Sequence, residues 1–270
     1  MKNENMPDSK CLENTIEEFF KEMKTENKEA YHRYSSFDYC YNYFYKHRDN
    51  PSKLKEKENI EVSCMYLGFY LASWGMYRGS TAVLNYNSKI YEPIIKEIVE
   101  DKNIKEYWEI DVNNYNEDNI EKLYQLKEKI QKRLNEQELK LTRKNKKIRE
   151  TKEQKDFSLL ATKIMLGIFG NTPAFDTYVT AVIKKYKDKK QVGEDLYKSQ
   201  LKKVKKIYDF EDNKNKIEEL HNKYKTIDFS STKDKTIYTK IPYTQAKLID
   251  MFAWQKYKNN KNRNNSKDII

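Results

Sequence analysis

Apolar residues recur at helical spacing along most of the chain, and the segments they mark differ mainly in how many charges lie between them. Near the start, two helices are predicted at 12–24 and 36–48, the second densely aromatic with Phe37, Tyr41 and Phe44 on one stripe. Asn50-Pro51-Ser52 reads as a turn, and the charged run to Glu58 as a linker. Pro93 falls in the first turn of a short helix at 91–100, and 113–119 is a polar break. A long charged helix is predicted at 117–153, with Ile120, Leu123, Ile130, Leu134 and Leu141 as its apolar positions. Amphipathic helices follow at 194–208 and 211–225, then an extended connection at 232–242 and a last helix from Pro242 to about Tyr257.

Two segments break this charged pattern. In 62–88 the only charge is Arg78, and in 157–183 the only charges are Lys163 and Asp176. The first is long enough to span a bilayer, but a guanidinium, three glycines and Ser63, Ser73, Ser80 and Thr81 argue for a core helix instead. On that helix Leu67, Leu71, Trp74 and Arg78 would share one stripe, which places Arg78 beside an indole and in need of a carboxylate, carbonyl or phosphate. The second reads as two helices joined by a very short turn, with Asp156 capping the first and Gly170 ending it. Thr172 then serves as N-cap with Pro173 at the first helical position, so Asp176 lies in the first turn of the second helix, where the dipole favours a carboxylate.

Composition narrows the class. The 270 residues are 35% charged but also 13% aromatic, with six glycines and five prolines, which suits a folded all-α, multi-helix globular protein better than a disordered or all-β chain. The organisation expected is an aromatic helical segment at 1–59, a helical core at 60–257 and a disordered basic tail at 258–270. A net charge of +11 suits nucleic acid as partner, although lysine, asparagine and tyrosine are abundant throughout, as an AT-rich coding bias would also produce. Arg143, Lys144, Lys146 and Lys147 form the densest basic run, and with Lys184 and Lys185 they are the candidate phosphate-tracking residues. His32, Arg33, Tyr34, His47 and Arg48 are a further candidate edge for stacking and phosphate binding. Three widely spaced cysteines and an N-terminus without an apolar stretch point to the cytoplasm, with no secretion signal and no membrane partner.

The chemistry on offer is carboxylate chemistry. The three histidines have no metal-ligand spacing with one another or with a cysteine, so neither a metal nor a cofactor is expected, and no nucleophile elbow or phosphate loop is present. Asp176 is the leading acid and Asp250 the second.

The run LATKIMLGIFGNTPAFDTYV, 160–179, has a glycine-ended apolar helix followed by Pro173-Ala174-Phe175-Asp176 and Val179. It resembles the segment through the catalytic aspartate of helix-hairpin-helix DNA glycosylases, and FYLASWGMYRGSTAVL, 69–84, is similar to that family's early pocket-lining helix. Both segments are also similar to parts of bacterial proteins. The family's glycine-rich hairpin is replaced here by KEQKDFSLL. The resemblance implies two helical subdomains flanking a cleft, a flipped base, and excision of a damaged or modified base in repair or defence, with Asp176 as catalytic carboxylate. It further implies Ser73, Trp74, Tyr77, Arg78 and Trp254 as substrate-binding residues and Lys155 as a weak candidate for a lyase lysine. Two alternatives stay open: a non-catalytic helical module that binds nucleic acid or protein, with Asp176 and Arg78 as a buried pair, and a helical toxin or defence effector.

Overall fold

The computed structural model describes residues 6–24, 29–78, 83–143, 157–186, 194–230 and 236–267, with the side chains of 138–143 and 263–267 left aside. Within them the chain is all-α, ten helices and one two-stranded hairpin. The helices are α1 (Ser9–Met23), α2 (Ser36–Lys46), α3 (Lys57–Ser73), α4 (Glu92–Glu100), α5 (Glu117–Arg143), α6 (Ser158–Phe169), α7 (Thr177–Ile183), α8 (Leu196–Asp209), α9 (Asn213–Lys223) and α10 (Gln245–Lys267). Strands β1 (Lys225–Asp228) and β2 (Ile237–Pro242) pair antiparallel between α9 and α10.

The charge pattern sorts the helices into centre and shell. In α6 every residue from Leu160 to Phe169 is buried, so the helix runs through the core with α2, α3 and α5 packed around it. A second hub is α10, against which α1, α7 and α9 pack. The charged helices α5, α8 and α9 bury one apolar stripe each and keep most of their described lysines and glutamates at least partly exposed, Lys127 of α5 being the buried exception. No helix among the described residues is long and apolar enough to cross a membrane.

Four elements differ from the sequence reading. Helix α3 stops at Ser73 because Gly75, at φ +81°, closes a Schellman motif in which Met76 N–H donates to Leu71 O and Gly75 N–H to Ala72 O. Segment 62–88 is therefore not one helix, and Arg78 leaves the apolar stripe. The second low-charge helix starts at Thr177 rather than after Thr172, so 171–176 is an extended linker held by side chains. The proposed connection at 232–242 contributes a strand, held because α2 reaches β1: Asn42 Nδ2 donates to Ile227 O (2.8 Å), and Ile227 N–H donates to Asp38 Oδ2 (3.0 Å). Helix α10 continues to Lys267, past the end placed near Tyr257, and Lys258 pairs with Glu22 of α1 there. The expected cap Asp156 lies outside the described residues.

Gly170 ends α6 as expected, at φ +67°. A Cβ there would sit 2.7 Å from Thr244 Cγ2, so the position demands both a left-handed backbone and an absent side chain. Gly75→Ala should lower the unfolding free energy by about 1–2 kcal/mol through backbone strain, the exposed Arg78 guanidinium 2.6 Å from the new Cβ being free to swing aside, and Gly170→Ala by more; urea unfolding of the two variants measures the order.

Asp38 is buried, and desolvation pushes its carboxyl up to about 7 despite bonds from Tyr243 and Ile227. Because the folded state holds this proton more tightly than the unfolded chain, Asp38 favours folding at acid pH. That contribution should fade between the ordinary carboxylate range and about pH 7 and stay flat above it. Asp38→Asn should remove this component from the pH profile of unfolding stability.

Candidate functional site

The linker 171–176 carries the site, and side chains from several different elements hold it. Thr244 Oγ1 donates to Gly170 O (2.6 Å), Tyr115 OH to Asn171 O (2.6 Å), and Asn171 Nδ2 to Tyr107 O (3.0 Å). Tyr197 OH donates to Thr172 Oγ1 (3.2 Å), and Thr162 Oγ1 of α6 to Ala174 O (2.5 Å). Ala174 N–H donates to Asp250 Oδ1 of α10 (3.0 Å), whose other oxygen takes Lys247 Nζ (2.9 Å). Proline in third place disfavours helix at Thr172, and these bonds offer the backbone a better arrangement than an early helical turn.

Phe175 follows with φ +45°, a left-handed conformation unusual for an aromatic residue, and this turns Asp176 onto the start of α7. Asp176 is the N-cap itself: Oδ1 accepts from Tyr178 N–H and Val179 N–H, both at 3.0 Å. Its Oδ2 lies 3.8 Å from Lys163 Nζ, and the side chain is 17% exposed, against 6% for Lys163. The lysine's hydrogen bond goes elsewhere, to Trp74 O at 2.9 Å. Burial pushes the Asp176 carboxyl up, opposed by Lys163 and the two backbone donors. Burial pushes the Lys163 ammonium down, opposed by Asp176 and Asp250. Two acids and two lysines thus share one partly dry site, Lys163–Asp176 toward its edge and Lys247–Asp250 inside.

Aromatic rings close round these charges. Tyr34 stacks on Trp74 (5.5 Å, 22°), and Trp254 meets Trp74 edge-on at 6.0 Å. Lys247 Nζ lies 5.0 Å from the Trp74 ring, and the exposed guanidinium of Arg33 lies 5.6 Å from it while donating to Ser73 O (3.3 Å). Indole Nε1 of Trp74 is buried with no hydrogen-bond acceptor among the described residues.

Of the residues singled out from sequence, the fold brings Asp176, Asp250, Trp74 and the Ser73 carbonyl together. Ser73 Oγ itself is spent on Phe69 O (2.9 Å). Arg78 is exposed and folds over Gly75; the carboxylate expected to pair with it is paired with Lys163 instead. Trp254 is buried between Phe19, Tyr34 and Trp74, so it supports the cluster rather than offering a stacking face. Tyr77 is half-buried with its hydroxyl shut from solvent. Lys184 and Lys185 are exposed at the end of α7. Lys155, Lys144, Lys146 and Lys147 lie outside the described residues, as does the side chain of Arg143, the last residue of α5. The aromatic edge divides: Arg33 joins this site, whereas His47 binds Tyr43 O and Arg48 stacks on Tyr45 at the far end of α2.

Lys163 and Lys247 complete the site. The signal for Lys163 was in the sequence, a lone ammonium in a helix otherwise free of charge. Lys247 lacked one, because a lysine in a mixed helix is ordinarily solvated. Among the described residues no three His, Cys, Asp or Glu side chains converge as a metal site.

Asp250→Ala should cost about 3–5 kcal/mol of stability, since it leaves Lys247 charged and unpaired in the core. Adding Lys247→Met should recover part of that loss, and denaturant unfolding of the double-mutant cycle measures the coupling. No protein-family model, no curated protein and no solved structure matches the chain.

Proposed function

We propose that this chain acts on DNA as a divergent glycosylase-type enzyme, releasing a damaged or modified base with Asp176 as the working carboxylate. One observation carries the reading, the unequal use of the two Asp176 oxygens. Oδ1 is committed to the α7 N-terminus by two backbone bonds, which fixes the carboxylate in place. Oδ2 accepts no hydrogen bond among the described residues and lies 3.8 Å from Lys163 Nζ, in a side chain that is 17% exposed.

A carboxylate fixed in this way suits cleavage of an N-glycosidic bond. As the base departs, positive charge develops on the sugar, and a pre-oriented anion in a site of low polarity stabilises it without reorganising. Such a site needs the nucleotide out of the stack. Trp74, whose carbonyl binds the Lys163 paired with Asp176, is a partly exposed ring of the site, and the exposed Arg33 and Arg78 offer cations for phosphate. The +11 charge of the whole chain adds a sequence-independent attraction to the duplex that weakens with salt. A purely structural role for Asp176 is favoured by one fact: it neutralises a buried lysine.

Asp176→Asn separates the two readings, because asparagine caps a helix as well as aspartate does but carries no charge. Duplexes containing uracil, hypoxanthine or an alkylated purine, assayed for abasic sites by alkaline cleavage, provide the readout. The wild-type chain should release base from at least one of them, and Asp176→Asn should lower that rate by about a hundredfold or more with little change in its unfolding midpoint. Undiminished release by the variant, or none by the wild type on any of the three, overturns the proposal. Loss of several kcal/mol of stability in the variant supports the structural role.

A further inference from the structure

The hairpin, α1 and α9 enclose a second site, away from the Asp176 residues. A cavity of about 250 Å³ lies between Phe20, Met23, Tyr224, Ile227, Tyr238 and Tyr243, with Lys24, Glu29, Lys223 and Lys225 around it. Phe20 and Tyr224 stack at 3.8 Å and 7°, which makes one wall flat. Tyr243 meets Phe20 at 64° and closes the inner end, its hydroxyl held by Asp38 at 2.6 Å. Tyr238, 44% exposed, forms an outer wall pinned by its hydroxyl to Glu29. The walls are thus fixed from behind, which a recognition site requires.

We propose that this slot binds a small molecule with a flat aromatic body and one anionic group. Its size argues for the body: a cavity of about 150 Å³ accommodates benzene, so 250 Å³ suits two fused rings. The stacked Phe20–Tyr224 wall fixes its orientation. Charge argues for the anion. Three ammonium groups line the slot against one carboxylate, and that carboxylate already accepts from Tyr238. Lys223 is paired with Glu17 (2.5 Å). Lys24 has no carboxylate in ion-pair reach among the described residues, and Lys225 Nζ reaches only the His221 carbonyl at 3.3 Å. Lys24, Lys223 and Lys225 also answer the carbonyl ends of α1 and α9, Lys225 through the His221 carbonyl, but such dipole contacts leave the full charges of Lys24 and Lys225 without a carboxylate among the described residues. The two cations left over stand over an apolar slot, where a carboxylate, sulfonate or phosphate gains a charge-assisted bond as its ring is buried.

The probe is naphthalene-2-sulfonate, titrated calorimetrically into the full chain, with its trimethylammonium counterpart as the opposite-charge control. The sulfonate should saturate at one site per chain and bind at least about tenfold tighter than the ammonium. Lys24→Gln with Lys225→Gln should weaken it by about tenfold or more, and the exposed Tyr238→Ala should weaken both probes, each with an unchanged unfolding curve. Asp176→Asn should leave binding unaltered, which separates this site from the proposed DNA chemistry. Absence of saturable binding, equal affinity for the two charges, or full affinity in the lysine double variant overturns the proposal.

Discussion

The buried carboxylate of Asp250 is the contact on which the rest of the arrangement depends. One of its oxygens neutralises Lys247, which is itself packed between the rings of Phe37 and Trp74, and the other fixes the backbone of Ala174. Through that bond α10 dictates the path of the linker that leaves α6, and with it where α7 begins. A carboxylate and an ammonium in the core are costly to desolvate, so the pair adds little net stability. What it specifies is position. Together with the bonds from Tyr115, Thr162 and Tyr197, the Asp250 acceptor holds the linker extended up to the Asp176 cap of α7.

Asp176 and Lys163 show how the same fold prepares a pair of charges rather than only storing them. Burial acts in opposite directions on the two, raising the acid and lowering the base, and their 3.8 Å approach opposes both shifts. Lys163 makes its hydrogen bond to the Trp74 carbonyl, not to the carboxylate, so Asp176 Oδ2 is attracted without being saturated. That combination, oriented on one side and unsaturated on the other, gives the site its chemical character. It arises where the end of α3, the centre of α6 and the linker meet.

Tyrosine and other aromatics explain how so polar a chain builds a core. Mean hydropathy is −1.04, yet the protein buries Tyr34, Tyr41, Tyr70, Tyr91, Tyr107, Tyr115, Tyr197, Tyr208 and Tyr243. A tyrosine buries a large ring and still supplies a hydroxyl, so it can fill space and hold a backbone carbonyl or carboxylate together. Tyr115 does this for Asn171, and Tyr243 for Asp38, each binding elements far apart in sequence.

The helical class, the central helix α6, its glycine end and a carboxylate near the N-terminus of α7 were legible in the order of residues, because each rests on local periodicity, cap chemistry or the absence of neighbouring charge. The helix length of 62–88 and the start of α7 were not, although Gly75 and Pro173 marked both places. A glycine inside an apolar run is compatible with a packed helix or with a Schellman end, and only the bonds from Met76 and Gly75 select the second. A proline after threonine suits a helix start equally well, until Asp250, far along the chain, takes the Ala174 N–H. For the same reason Arg78 looked like the natural partner of Asp176, whereas packing chose Lys163. Local sequence determined which residues wanted partners; contacts between distant elements decided which partners they found.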